Sequence, residues 1–287
     1  MRNFIRARHT RGLLGLGPVA HRPSPGLLWT LLLAAAMAFA PAAPGRADEP
    51  ELPDSTGFGA ALDTIPASAE PFKAGESLRF SVQYGIIKAG SAWLEVPEVT
   101  EFNGHRVWRL VARAESNGFF SSMYKVRNRI ESFWDVDGRF SRRYFEDRRE
   151  GGYRANDTLL YEPDSSRMRY KNGQTYPLPG TVQDALSSFY LTRFKPLPLG
   201  GHVVFDYHAS RKTTPMDVHV LGRETVKTPA GKFNCIVIEP HLKAGGIFKN
   251  NGRLVIWLTD DARRMPVLMK SKVAIGSIKV VLQEYTP

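Results

Sequence analysis

Cysteine is nearly absent. Cys235 stands alone among 287 residues, so no intramolecular disulfide can form and a stapled secreted scaffold is excluded. It lies in the apolar run Cys235-Ile236-Val237-Ile238, the setting of a small buried hydrophobe. A nucleophilic thiol needs an exposed, electropositive site and a positioned histidine, and nothing in the sequence puts nearby His241 on the same face. Long hydrophobic runs are missing too: Leu27–Ala40 has 14 residues, against the about 20 that a bilayer-spanning helix requires. There is no Gly-x-Ser-x-Gly elbow, no phosphate-binding glycine loop, no His-Glu-x-x-His and no internal repeat. These absences exclude the well-marked enzyme classes, leave no catalytic constellation and imply no cofactor.

What the N-terminus does have is a basic stretch with Arg2, Arg6, Arg8, Arg11 and Arg22, then the apolar run, then small residues ending in Gly45-Arg46-Ala47-Asp48. That order reads as a signal peptide over residues 1–47, cut after Ala47, with export to the periplasm of a Gram-negative envelope. There is no adjacent arginine pair ahead of the run and no cysteine after the cut, so neither twin-arginine export nor lipidation is indicated. The formal net charge of +11 includes six arginines from residues 1–47; without them 33 basic residues face 28 acidic ones, a net of +5. A mildly basic surface favours anionic lipid head groups or glycans and does not require nucleic acid.

Residues 48–71, rich in Pro, Ala, Asp and Glu, read as a flexible lead-in, and residues 72–287 as one β-rich domain. Alternating or β-branched segments recur at Leu78–Tyr84, Ser91–Val96, Arg106–Glu115, Met123–Val136, Arg139–Arg148, Tyr153–Tyr161 and Met168–Tyr170. They resume at His202–Ala209, Met216–Leu221, Phe233–Glu239, Arg253–Leu258, Val267–Ala274 and Ile278–Tyr285. Asp137-Gly138 suits a two-residue type I′ hairpin, which would pair Val136 with Arg139, Ile130 with Phe145 and Arg129 with Glu146. Between the two groups Val182, Leu186, Phe189 and Tyr190 make one apolar helical stripe, capped by Thr181 and ended by Pro196. The fold expected is mainly β: a large antiparallel curved sheet or open barrel with one packed amphipathic helix. Two tandem β modules meeting near Pro196-Leu197-Pro198 are the alternative.

Four groups of residues can carry function. On the strand His202–Ala209, His202, Val204, Asp206 and His208 alternate onto one face, and a hairpin to the next strand can set Asp206 and His208 beside Asp217 and His219, a ligand set for a divalent metal. The bland alternative is the polar outer face of a sheet. The run Arg142–Glu150, opposite Lys125, Arg127 and Arg129, is basic with interleaved aromatics, though the acids in it also suit a solvated, ion-paired hairpin. Gly245-Gly246-Ile247-Phe248 is a flexible apolar tip suited to a lid or a partner contact. Trp93, Trp108, Trp134, Phe248 and Trp257 are candidate lining for a ligand, with plain core packing as the competing role.

The segments Lys73-Ala74-Gly75-Glu76, Tyr84–Gly90, Gln183–Tyr190, Thr228–Phe233 and Gly245–Asp261, in this order, resemble the domain-of-unknown-function 3108 family of exported bacterial proteins, from about Phe72 to Tyr285. The resemblance carries no activity and no site residues. It implies a β-rich build similar to the half-barrel of lipoprotein carriers. The leading expectation is therefore a non-catalytic periplasmic binding module holding a lipid or other apolar ligand. The alternatives are an envelope scaffold that binds a protein or glycan partner through the basic hairpin, and a metal-dependent hydrolase using His208 and His219.

Overall fold

The structure is a computed structural model and describes residues 70–209, 211–242, 253–272 and 276–287. The chain first lays down β1 (Glu76–Tyr84), β2 (Ile87–Phe102) and β3 (His105–Ser116), then a short helix α1 (Gly118–Met123). Next come β4 (Val126–Asp135), β5 (Ser141–Glu150), β6 (Tyr153–Glu162), β7 (Arg167–Tyr170) and β8 (Thr175–Pro177). After helix α2 (Ala185–Phe194) follow β9 (His202–Ala209), β10 (Lys212–Thr228), β11 (Gly231–Leu242), β12 (Leu254–Thr259), β13 (Pro266–Lys272) and β14 (Ser277–Thr286). All fourteen strands form one sheet, in the order β8-β7-β6-β5-β4-β3-β2-β1-β14-β13-β12-β11-β10-β9. Every pairing in it is antiparallel, and the sheet is not closed.

That order has a simple meaning. The first and last strands pair in the middle, so the first half meanders outward to the β8 edge and the second meanders inward from the β9 edge. The chain then leaves one edge at β8, forms α2 and enters the other edge at β9. The helix sits at the seam because the connection between the two edges runs through it.

The seam is held by main-chain and side-chain bonds from the segment just before α2. Ser141 N–H donates to the Val182 carbonyl at 3.0 Å, Gln183 N–H to the Asp206 carbonyl at 2.9 Å, and His208 N–H to the Gln183 carbonyl at 2.8 Å. The segment thus bridges β5 and β9. Thr181 is not the cap of the helix, contrary to what its position suggests. Asp184 is: its Oδ1 accepts from the Leu186 and Ser187 amides at 2.8 and 2.9 Å, while its Oδ2 accepts from the Ser132 hydroxyl at 2.6 Å. The helix therefore starts later, and Val182 is buried ahead of it rather than on its stripe. Burial raises the Asp184 carboxyl, against the four hydrogen-bond donors that hold it down.

α2 is buried on nearly every side rather than along one stripe, and its polar residues need internal partners. Arg193, wholly enclosed, makes a two-pronged ion pair with buried Glu76 of β1 (2.7 Å to each oxygen) and also donates to the carbonyls of Pro71 and Arg263. This pair ties α2 to the centre of the sheet.

The hairpin β4–β5 departs from its expected register. Arg129 faces Asp147 and Ile130 faces Glu146, one residue away from the Arg129–Glu146 and Ile130–Phe145 pairs of a two-residue loop. Next to the turn the expected register holds, with Trp134 facing Ser141, and the Asp135 carboxylate braces that turn by accepting from the Asp137 and Gly138 amides at 3.1 and 2.6 Å and from the Arg142 guanidinium. Arg139 in the turn has φ +53°, and the one-residue shift enters at a bulge between Phe133 and Trp134. Arg129 bonds Glu131 of its own strand instead (2.7 Å).

Candidate functional site

The antiparallel order gives the rolled sheet two turn ends. One carries the β2–β3, β4–β5 and β12–β13 turns and is filled by α2. There Phe72 packs edge-on against Trp108, Tyr190 and Phe194 at ring-centroid distances of 5.3, 4.9 and 5.4 Å, and Trp134 lies 5.6 Å from Phe194. The Trp134 indole donates to Gln183 at 3.0 Å. Trp108 and Trp134 are thus core residues packed around α2.

The other two tryptophans point away from that core. On β2 the inward residues are Ala92, Leu94 and Val96, so Trp93 faces out, under the Arg113 guanidinium at 5.0 Å. Trp257 lies on the face of β12 opposite Ile256 and Leu258 and is buried there; its indole donates to Glu224 at 2.7 Å, and the Lys270 ammonium lies 4.7 Å from its ring. The four tryptophans therefore do not line one cavity, and Phe248 lies outside the described residues.

The opposite end carries the β1–β2 turn, α1 and the β5–β6 turn. α1 is capped by Asn117, whose Oδ1 accepts from Phe120 N–H at 2.9 Å and whose amide nitrogen donates to the Lys88 carbonyl at 2.6 Å, fixing the helix beside β2. Gly151 N–H donates to the Lys125 carbonyl at 2.8 Å, joining the β5–β6 turn to the same rim. Apolar side chains stand out here into solvent: Ile86 is 98% exposed and Phe119 68%, with Ile87 and Met123 more than half exposed and Tyr153 beside them on the rim. Lys88 and Lys125 flank them. Arg127 and Arg154 lie just beyond, in a shallow groove of about 480 Å³ on the outer hairpin face that Lys125, Asp147 and Arg149 also line. Of the basic hairpin read from the sequence, Lys125, Arg127 and Arg149 line this groove, while Arg129, Arg142, Arg148 and Arg149 are ion-paired with Glu131, Asp135, Glu150 and Asp147.

Beneath the rim, the inward face of β4–β6 is polar. Asn128 donates to Glu150 at 2.7 Å, Arg148 to Glu150 at 3.1 Å, and Tyr144 to Glu146 at 3.2 Å. Asp157 pairs across from Glu146. Burial raises the Glu146 carboxyl, Arg148 and the Tyr144 hydroxyl hold it down, and Asp157 pushes it up again. From the sequence this run reads as a solvated outer face. The strand's alternation puts Tyr144, Glu146, Arg148 and Glu150 inside, a parity that its even scatter of charges conceals.

Of the four residues expected to hold a metal, the structure brings together two. Asp217 and His219 share the outer face of β10, but their third neighbour is His202, which pairs with His219 across the strands. Asp206 lies opposite Pro215, outside that group. His208 is enclosed: Tyr170 bonds its Nε2 at 3.1 Å, Thr213 its Nδ1 at 3.0 Å, and the Tyr161 ring stands 6.0 Å away. Tyr161 and Tyr170 come from β6 and β7, so the two edges of the sheet close over this histidine. Burial lowers its pKa to about 4. With both ring nitrogens hydrogen-bonded and the ring outside the His202–Asp217–His219 group, His208 is placed as a structural residue. Burial likewise pushes the Cys235 thiol up to about 12, so it is inert.

The family described as protein of unknown function, DUF3108, matches residues 79–283, and the chain belongs to it. No curated protein matches the chain in sequence. Among solved structures, the β-barrel-like protein of domain of unknown function DUF1849 from Brucella abortus is similar at a TM-score of 0.51 and 11% identity, covering 75% of this chain and 98% of its own. A DUF1089 family protein from Pseudomonas aeruginosa aligns over 75% of this chain and 95% of its own at 10% identity, with a TM-score of only 0.32. The first of these shows a shared fold, a large β-barrel-like sheet, and nothing more.

Proposed function

We propose that the protein is a non-catalytic binding module of the cell envelope that takes a lipid or similar amphipathic ligand at the rim opposite α2. The observation that carries this reading is the set of exposed apolar side chains at that rim, Ile86, Ile87, Phe119 and Met123, bordered by Lys88 and Lys125. Isolated exposed hydrophobes are ordinary, but four on adjoining turns form a patch, and patches mark binding surfaces. Covering a large apolar side chain is worth roughly 1.5–3 kcal/mol. The lysines would meet an anionic head group while acyl chains cover the apolar tips. The reading of residues 1–47 as an export signal supports this, since the periplasm adjoins membranes that hold such lipids. The interior around Trp108 and Trp134 is filled by Phe72 and α2, so the ligand of this reading sits at the rim and not among the tryptophans.

Native mass spectrometry of the protein, gently purified and then incubated with phosphatidylglycerol vesicles, tests the reading. A discrete lipid mass, lost in Ile86→Glu and Phe119→Glu variants of unchanged circular dichroism, is the expected result. A bare polypeptide mass in the wild type would overturn it. The groove lined by Lys125, Arg127, Arg149 and Arg154 would then favour the second reading, a scaffold that docks an anionic glycan or protein partner.

A further inference from the structure

Three histidines and two carboxylates gather on the outer face of β9, β10 and β11, away from the rim. The registers explain the gathering. His202 of β9 pairs with His219 of β10, which pairs with Glu239 of β11; Asp217 pairs with His241 one step along. His202 Nδ1 lies 2.7 Å from Asp217 Oδ1, and His219 Nε2 lies 3.5 Å from the same oxygen. One ligand atom from each of His202, Asp217 and His219 falls within 4.8 Å of the other two. The ring of His241 stands 4.9 Å from that of His219, and its Nε2 is 3.5 Å from Glu239. Glu239 is itself bonded by Arg253 at 3.0 Å.

We propose that His202, Asp217 and His219 form a binding site for a divalent transition ion of the zinc type. Two imidazoles and one carboxylate are the donors that borderline ions select, and they disfavour calcium and magnesium, which want oxygen alone. A tetrahedral ion with bonds of about 2.0–2.2 Å holds its ligand atoms roughly 3.3 Å apart. The separations of 2.7 and 3.5 Å bracket that value. The longest separation closes by rotation of imidazoles that are about half exposed, while Asp217, almost fully buried, is the fixed anchor. His241 stands near enough to take the fourth position after a change of rotamer; otherwise water fills it. Arg253 holds Glu239 away from the ion. The ion would join β9, the last strand of the sheet, to β10, so its effect is to clamp that edge.

The sequence contains part of this signal. His202 alternates onto the same face as Asp206, but which histidine of β9 meets Asp217 depends on where the β9–β10 turn falls. The observed register selects His202 and leaves His208 at the seam.

Titration of the full chain with zinc chloride by calorimetry, together with the visible spectrum after cobalt substitution, tests the site. The expected result is one ion per chain, a tetrahedral cobalt band, and a rise in melting temperature with zinc. Each of His202→Ala and His219→Ala should weaken binding by at least about tenfold and abolish the band, as loss of a direct ligand must cost no less than loss of a supporting contact. His105→Ala, at the β2–β3 turn, should leave both unchanged. Both ligand variants alter half-exposed side chains, and their circular dichroism in the absence of metal checks that they fold. The proposal is overturned if the wild type shows no saturable binding, or if binding survives in the two folded ligand variants.

Discussion

His208 shows how one side chain can set a solution property. Enclosed by Tyr161, Tyr170 and Thr213, it is held neutral with its pKa lowered from 6.5 to about 4 by burial. Above pH 6.5 the folded and unfolded chains both carry it neutral. Below that, the unfolded chain takes up the proton first, so stability falls as pH falls from 6.5 towards 4. The loss reaches at most about 3 kcal/mol, because holding off a proton costs about 1.4 kcal/mol for each pH unit below 6.5. Urea denaturation at pH 7 and pH 4.5 should therefore show a larger acid loss in the wild type than in His208→Gln, which cannot be protonated. Equal losses would mean that the seam does not shield the ring. Nothing in the local sequence marks His208 as different from His202. Both alternate with apolar residues on one strand, and only the arrival of β6 and β7 over the seam separates a buried histidine from an exposed one.

At the level of elements, strands and helix were legible because their patterns are local, whereas caps and registers were not. The alternation of Leu78–Tyr84 or Ile278–Tyr285 identifies strands that pair with each other across the whole chain, although no local signal says so. The three-residue β8 and the six-residue α1 are too short for periodicity to show. Asp184 outcompetes Thr181 as cap because Ser132 and Ser141, distant in sequence, complete its hydrogen bonds. Gly90 belongs to the family-like segment Tyr84–Gly90, and the structure gives its reason. A Cβ there would lie 2.1 Å from the Glu115 carbonyl oxygen of the neighbouring strand, against backbone that cannot swing aside. Gly90→Ala should therefore separate β2 from β3 locally and cost about 1–3 kcal/mol by urea denaturation. Gly152→Ala, with open space around its position, is the control and should change little. A neutral Gly90→Ala would show that β2 and β3 do not approach so closely.

At the scale of the whole molecule, the question is whether residues 72–287 act as one unit or as two modules meeting near Pro196-Leu197-Pro198. Besides the contacts of His208 with Tyr161 and Tyr170, further connections cross between the halves. β1 pairs with β14 over eight residue positions, the segment before α2 bridges β5 and β9, and Arg193 of α2, itself paired with Glu76 of β1, also donates to the carbonyl of Arg263 in the second half. Leu197, between the two prolines, is itself buried. Parting the halves would strip a central strand of its partner and leave the Arg193–Glu76 charges exposed on one side only. The one-domain reading thus predicts a single cooperative transition. Two probes can report it independently. Cys235, buried in β11 and the only thiol, becomes reactive only when the second half opens. In a Trp257→Phe variant, the unfolding-sensitive fluorescence comes from buried Trp108 and Trp134 of the first half, over contributions from Trp93 and Trp29. Thiol labelling and fluorescence followed through one urea titration of that variant should give coincident midpoints. Separated midpoints would mean that β1–β8 and β9–β14 unfold apart, and that the β1–β14 pairing is an interface between two modules rather than the middle of one sheet.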